Sequence, residues 1–396
     1  MMARTSAEQM RAWQGPALFS FGFRPFFLFG ALCVMLAMLL WLPALSGALS
    51  LPTRFDPVSW HAHEFLFGYL GAVLAGFLLT AVPNWTGRLP MVGWRLAALF
   101  SLWVAGRVAV LISGHLPVAV APVIDLAFPL VLGALILREI VAGRNWRNLI
   151  VLGLLSVFTL ANGLFHIEAL TGRYAAQGLG LRLGLATGIM MIAVIGGRII
   201  PSFTRNWLAK ANDPARPAPP MQRFDKLVLL SSIAILMLWI IRPFETLTGA
   251  ALIVFGGLHL VRQARWTPLH TLNEPLLWAL HAAYLFIPLG AFALGLDQIQ
   301  GNPGTAGAQH LWMAGAIGAM TLAVMTRASL GHTGQALTAN RATVAIYLCL
   351  FGSVLARYLG FFHPGLTHFS GALWLAAFAG FVLAYGPSLL GPKPEK

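Results

Sequence analysis

Apolar residues run along this chain in long stretches, separated by short polar ones. A helix that crosses a bilayer needs about 20 predominantly apolar residues. Twelve runs reach that scale, at 25–48, 61–83, 94–113, 118–138, 148–169, 181–201, 226–242, 246–263, 274–296, 309–328, 341–361 and 366–388. The pattern predicts an all-α fold, a polytopic membrane protein with twelve transmembrane helices in one transmembrane domain over 1–396. Between the sixth and seventh runs, residues 202–226 hold Pro214, Pro217, Pro219 and Pro220 and read as a flexible cytoplasmic linker.

Charge orients the helices. Basic residues gather in alternate loops: the N-terminus with Arg4, Arg11 and Arg24, the turns at Arg88 and at Arg138, Arg144 and Arg147, the 202–226 segment, the turns at Arg262 and Arg265 and at Arg327 and Arg341, and the tail with Lys393 and Lys396. The loops between them carry little charge. Positive charge collects on the cytoplasmic side, so both termini are expected there. The net charge of +14 is spread over these short loops. It argues for membrane orientation and against a nucleic-acid partner.

A short pattern recurs every fourth run. Gly76 to Val82, Gly188 to Val194 and Gly318 to Val324 each read Gly, four residues, Ala-Val, and each leads into a polar turn. An arginine follows in the next run or near its end, at Arg107, Arg242 and Arg357. The chain is expected to comprise three four-helix repeats, at 25–147, 148–270 and 271–390. Small residues that help membrane helices pack would give the same pattern.

Polar side chains inside such runs are expensive and mark candidate sites. Trp60-His61-Ala62-His63-Glu64 opens the second run and His310 opens the tenth. His61 and His63 are two apart, so on one helix they point nearly opposite ways and do not chelate one ion together. Asn162 and His166, four apart, share a face, and so do His281 and Tyr284 on the ninth run. Buried imidazole is a natural ligand for haem iron or copper. The metal candidates are His61, His63, His166, His281 and His310. Arg107, Arg242 and Arg357 could clamp haem propionates. Asp125, Glu64 and Glu245 compete as their partners in plain ion pairs. His259, His270, His115, His363 and His368 read for the most part as solvated or interfacial. The two cysteines, Cys33 and Cys349, fall in separate apolar runs and form no metal motif. No phosphate-binding loop, dinucleotide fingerprint or nucleophile elbow is present.

The segments Phe23-Arg24-Pro25-Phe26-Phe27, Trp60 to Glu64, Pro83-Asn84-Trp85-Thr86-Gly87, Gly196-Gly197-Arg198, Ile200 to Thr204 and the run from His310 to Gly334 resemble the NnrS family of bacterial inner-membrane proteins. The resemblance implies haem and copper. It also implies a role in the nitric oxide response, in denitrification or in resistance to nitrosative stress, at the bacterial inner membrane. It does not say which residue binds which metal. A looser likeness, at the level of architecture alone, is to haem-copper oxidases, whose haem hangs between histidines of the second and tenth spans. By that analogy His63 and His310 would ligate haem iron, read as b-type. Copper would fall to His61 with His166 or His281, and Arg107, Arg357 and Arg242 would bind propionates.

Three functions then stand side by side. One is a haem and copper protein that binds, senses or detoxifies nitric oxide, served by an electron donor or respiratory partner. The second is a transporter of a metal or small anion, and the third is an accessory protein for assembly of another metalloenzyme.

Overall fold

The computed structural model describes residues 12–302, 306–363 and 365–392. Arg4, Arg11, Lys393 and Lys396, used above for orientation, lie outside them. Twelve helices are long and apolar enough to cross a membrane: α1 Phe23–Leu45, α2 Pro57–Thr86, α3 Trp94–Leu111, α4 Val120–Ala142, α5 Trp146–Leu170, α6 Leu179–Lys210, α7 Arg223–Ile241, α8 Thr246–Ala264, α9 Pro275–Ile299, α10 Ala306–Thr333, α11 Arg341–Leu359 and α12 Leu366–Leu390. No strand occurs among the described residues.

Two boundaries differ from the sequence pattern, for local reasons. Helix α2 begins before its apolar run, because Asp56 caps it by accepting from the N–H groups of Val58 and Ser59 and Pro57 follows at the first turn. His61 and His63 therefore sit inside the helix. Helix α6 continues past its apolar run to Lys210, burying Ile200, Thr204 and Leu208 along one face. The segment between α6 and α7 is thus shorter than the expected 202–226 linker, because only residues 211–222 lie outside helix.

The chain forms two compact units. The first holds α1 to α5, the start of α6 up to Gly184, Ser329–Gln335 and the end of α12 from Phe381. In it α2 packs on α1 and α4, and α4 on α3 and α5. Arg24 of α1 is buried and donates to the carbonyls of Leu389 and Gly391, which lie at the open end of α12. The second unit runs from Leu185 to Ala328 and from Ala336 to Gly380. Its centre is α9, packed on α8 and on the π-helical part of α10. The backbones of α8 and α9 touch at Gly249 and Gly295. A Cβ on either would meet the other's carbonyl oxygen at 2.7 Å, so only glycine permits this approach.

Among the described residues three helices carry π-helical stretches: Glu64–Tyr69 in α2, Ile192–Gly196 in α6 and Leu311–Ala319 in α10. The wider i→i+5 turn leaves backbone carbonyls short of partners, and such turns are frequent at functional sites. Side chains answer two of them. Trp103 Nε1 donates to Gly68 O at 3.0 Å, and Arg262 Nη1 donates to Ala193 O at 2.8 Å.

Candidate metal centre

The first unit encloses a group of polar side chains drawn from four helices. Helix α2 contributes His63 and Glu64, α3 Arg107, α4 Asp125, and α5 Asn162 and His166. All are buried except Arg107, whose side chain is 11% exposed. The π-helical stretch begins at Glu64, directly after His63. Trp103 holds that stretch through Gly68 O, and Arg107 lies one turn further along α3.

Asp125 is the junction. Its Oδ1 accepts from Arg107 Nη2. Its Oδ2 accepts from Asn162 Nδ2 at 2.8 Å and from His166 Nε2 at 3.0 Å, and lies 3.3 Å from His63 Nε2. Because Asp125 only accepts, the Asn162 amide must present its NH₂ there and its Oδ1 elsewhere. That Oδ1 lies 2.9 Å from His63 Nε2, and Glu64 Oε1 lies 3.2 Å from His63 Nδ1. Both nitrogens of His63 thus face acceptors. Arg107 Nη1 closes the network on Glu64 Oε1 at 2.6 Å. Two carboxylates thus share one guanidinium and lie beside two imidazoles in a buried network.

One ligand atom from each of His63, Asp125 and His166 lies within 4.8 Å of the others. Two imidazoles and a carboxylate suit iron, copper or zinc. A metal taking His63 Nε2 would displace its proton. Glu64 on Nδ1 and Arg107 and Asn162 on Asp125 would then orient the ligands from behind. These residues fit an ion. They do not fit a porphyrin at His63, because Phe55, Phe67 and Phe165 close on that ring with centroids 5.2 to 5.5 Å away. Beside Asp125 and Asn162 a narrow cavity has room for one water-sized body at most, and its walls include Phe67, Gly71, Phe128 and Phe158.

The other expected site residues lie elsewhere. His61 points away from His63, as two-residue spacing requires, and stacks on Trp41 at 4.1 Å. His310, in the second unit, donates from Nδ1 to the carbonyl of Ala306, one turn back. That bond makes Nε2 the lone-pair nitrogen, the tautomer a metal-ligating histidine adopts. His281 engages Thr204 through Nε2 at 2.9 Å, and its buried Nδ1 has no partner. Arg107 is held by Glu64 and Asp125, the competing ion pairs named above. Arg242 pairs on the surface with Glu245 at 2.9 Å. Arg357 keeps a buried Nε without a partner.

Two readings need correction. His259 is completely buried rather than interfacial, with Ser232 at one ring nitrogen and Tyr284 at the other. Arg262 is not a loop residue. It ends α8 fully buried and pairs with Asp225 at 2.8 Å. Asp125 is the ligand candidate that sequence reasoning left out. Its signal was a lone carboxylate in an otherwise apolar run, which reads equally as an ion-pair partner.

No curated protein matches the chain. Residues 17–393, nearly its whole length, match the family model described as NnrS protein. The clustered histidines, the twelve apolar helices and that match agree, and the chain belongs to the NnrS family.

Proposed function

We propose that this protein acts in the nitric oxide response by holding a redox metal at His63, His166 and Asp125, with copper the ion that the donors favour. The observation that carries this is the convergence of three donor atoms within 4.8 Å inside apolar helices. Such a group, supported by Glu64, Arg107 and Asn162, is costly to keep in lipid without a use. Among divalent first-row metals copper binds nitrogen and oxygen sites most tightly. Charge points the same way. With both imidazoles neutral the network has one net negative charge, so it attracts a cation. The narrow cavity beside Asp125 and Asn162 is walled mostly by apolar side chains, so a ligand admitted there would have to be small.

Haem belongs to the same proposal at a different residue. His310, held through Nδ1, is suited to bind iron through Nε2, and Arg357 supplies an unsatisfied guanidinium nitrogen for a propionate. When bound, these metals supply one-electron chemistry and an affinity for nitric oxide. The chain's own residues orient the ligands and exclude water. Three four-helix repeats accord with this layout, since the π-helical stretches fall in α2, α6 and α10, the helices that carry the repeated Gly-x4-Ala-Val segment.

The test is metal analysis and absorption spectroscopy of the protein purified from membranes, comparing wild type with His166→Ala and His310→Ala. Loss of copper alone in the first and of haem alone in the second is expected. Full copper retention in His166→Ala would remove the basis of the proposal.

A further inference from the structure

The second unit contains a buried hydrogen-bond chain that the metal centre does not use. Ser232 Oγ lies 2.6 Å from the carbonyl of Val228, to which it donates its single proton. In its 2.9 Å contact with His259 Nε2 it must therefore accept. Nε2 carries the ring proton, and Nδ1 is a lone pair. The Tyr284 hydroxyl, 2.8 Å from Nδ1, donates to it. On its other side the phenol oxygen accepts from Arg262 Nη1 at 3.1 Å. Arg262 is fixed by Asp225 at Nε and by Ala193 O at the same Nη1. His259, Tyr284 and Arg262 are all fully buried. A phenol with a neutral base on its proton and a guanidinium on its oxygen is arranged to lose that proton without water.

We propose that Tyr284 is a redox-active tyrosine whose hydroxyl proton passes to His259 as an electron leaves. The Tyr284 O–H bond breaks and an N–H bond forms at His259 Nδ1. The electron goes to a one-electron oxidant, leaving a neutral tyrosyl radical and an imidazolium. An oxidant that reaches a side chain enclosed by apolar helices is small and uncharged. Nitrogen dioxide is of that kind and becomes nitrite. Tyrosine, imidazole and nitrogen dioxide thus give tyrosyl, imidazolium and nitrite, with atoms and charge conserved. Trp266, itself buried, packs edge-on to Tyr284 with centroids 4.7 Å apart and extends the aromatic path.

The same unit supplies a comparison. Tyr347 is equally buried, and its hydroxyl meets Thr326 Oγ1 at 2.5 Å, a group that is not a base. The full-length protein in detergent is exposed to a controlled flux of nitrogen dioxide. Nitration at each tyrosine is followed by peptide mass spectrometry, and radicals are trapped by freeze-quench electron paramagnetic resonance. A positioned base accelerates proton transfer on the order of 100-fold, so Tyr284 should react faster than Tyr347 by about that factor. His259→Leu should bring the two rates together, and Tyr284→Phe should remove the early radical signal. Wild type in heavy water needs no variant, and slowing at Tyr284 but not at Tyr347 is expected there. Equal reactivity of the two tyrosines in wild type, or a radical that persists in Tyr284→Phe, would overturn the proposal. A network that merely neutralises Asp225 predicts both of those results.

Discussion

His63 and His166 meet at one atom. The Nε2 of each lies within 3.3 Å of Asp125 Oδ2, although the two histidines are more than a hundred residues apart in sequence. Convergence on a single carboxylate oxygen makes Asp125 the residue on which both the charge balance and the ligand set depend. Arg107 holds the other oxygen, so the carboxylate is fixed from both sides.

Asp125→Ala should therefore be the most damaging substitution in the first unit. It leaves the Arg107 guanidinium with Glu64 alone and removes the acceptor from His166 and Asn162. Stranding a buried charge costs about 3–5 kcal/mol. Asp125→Asn preserves the shape and should lose less stability while still abolishing metal retention. Thermal unfolding in detergent reads the first effect, and metal content of the purified variants reads the second. Equal stability of Asp125→Ala and wild type would show that the network carries no structural load.

Glu64 touches no proposed ligand atom of the metal. It orients His63 through Nδ1. Groups in that position typically alter metal affinity by about 10–100-fold. Glu64→Gln should weaken copper binding by such a factor and leave the ion bound at saturating concentration. Competition with a chelator measures it. Binding should also weaken as pH falls, because the metal replaces a proton at His63 Nε2.

The sequence carried the helices further than it carried the site. Apolar run length located all twelve helices, because a membrane span must be long and uniformly apolar. The opposite directions of His61 and His63, and the shared face of Asn162 and His166, follow from helical geometry alone. The meeting of α2, α4 and α5 at Asp125 does not. Helices that face lipid on one side and protein on the other are apolar all round, so periodicity does not say which face is inside. Arg262 shows the same limit. At the end of its run it looks like one more loop cation, and only the fold brings Asp225, 37 residues earlier, beneath it.

Gly68 tests the packing under the network. A Cβ there would lie 2.6 Å from Arg107 Nη1 and 3.2 Å from Glu64 Oε2. Gly68→Ala should push the guanidinium off Glu64, at about 1–3 kcal/mol for overpacking. A Cβ added at Gly153, on α5, would meet nothing within 4 Å, and Gly153→Ala should be neutral or stabilising by up to about 1 kcal/mol. Gly68→Ala should lower the melting temperature, and Gly153→Ala should hold or raise it.

The segment between α6 and α7 answers to pH. Asp213 accepts from the N–H of Ala215 and pairs with His270 at 3.1 Å. The Ala215 N–H first, and His270 second, hold its carboxyl below the usual carboxylate range. A depressed folded-state value means that the contribution is complete above the unfolded value, about 3.9, and is lost as pH falls through the lower folded one. Hydrogen exchange in residues 211–222 should therefore accelerate below about pH 4, while the amides of α6 and α7 stay protected. Asp213→Asn, which cannot ionise, should show the faster exchange already at neutral pH and no further change on acidification. Unchanged exchange of this segment in the variant at neutral pH would mean that the Asp213 contacts do not hold it.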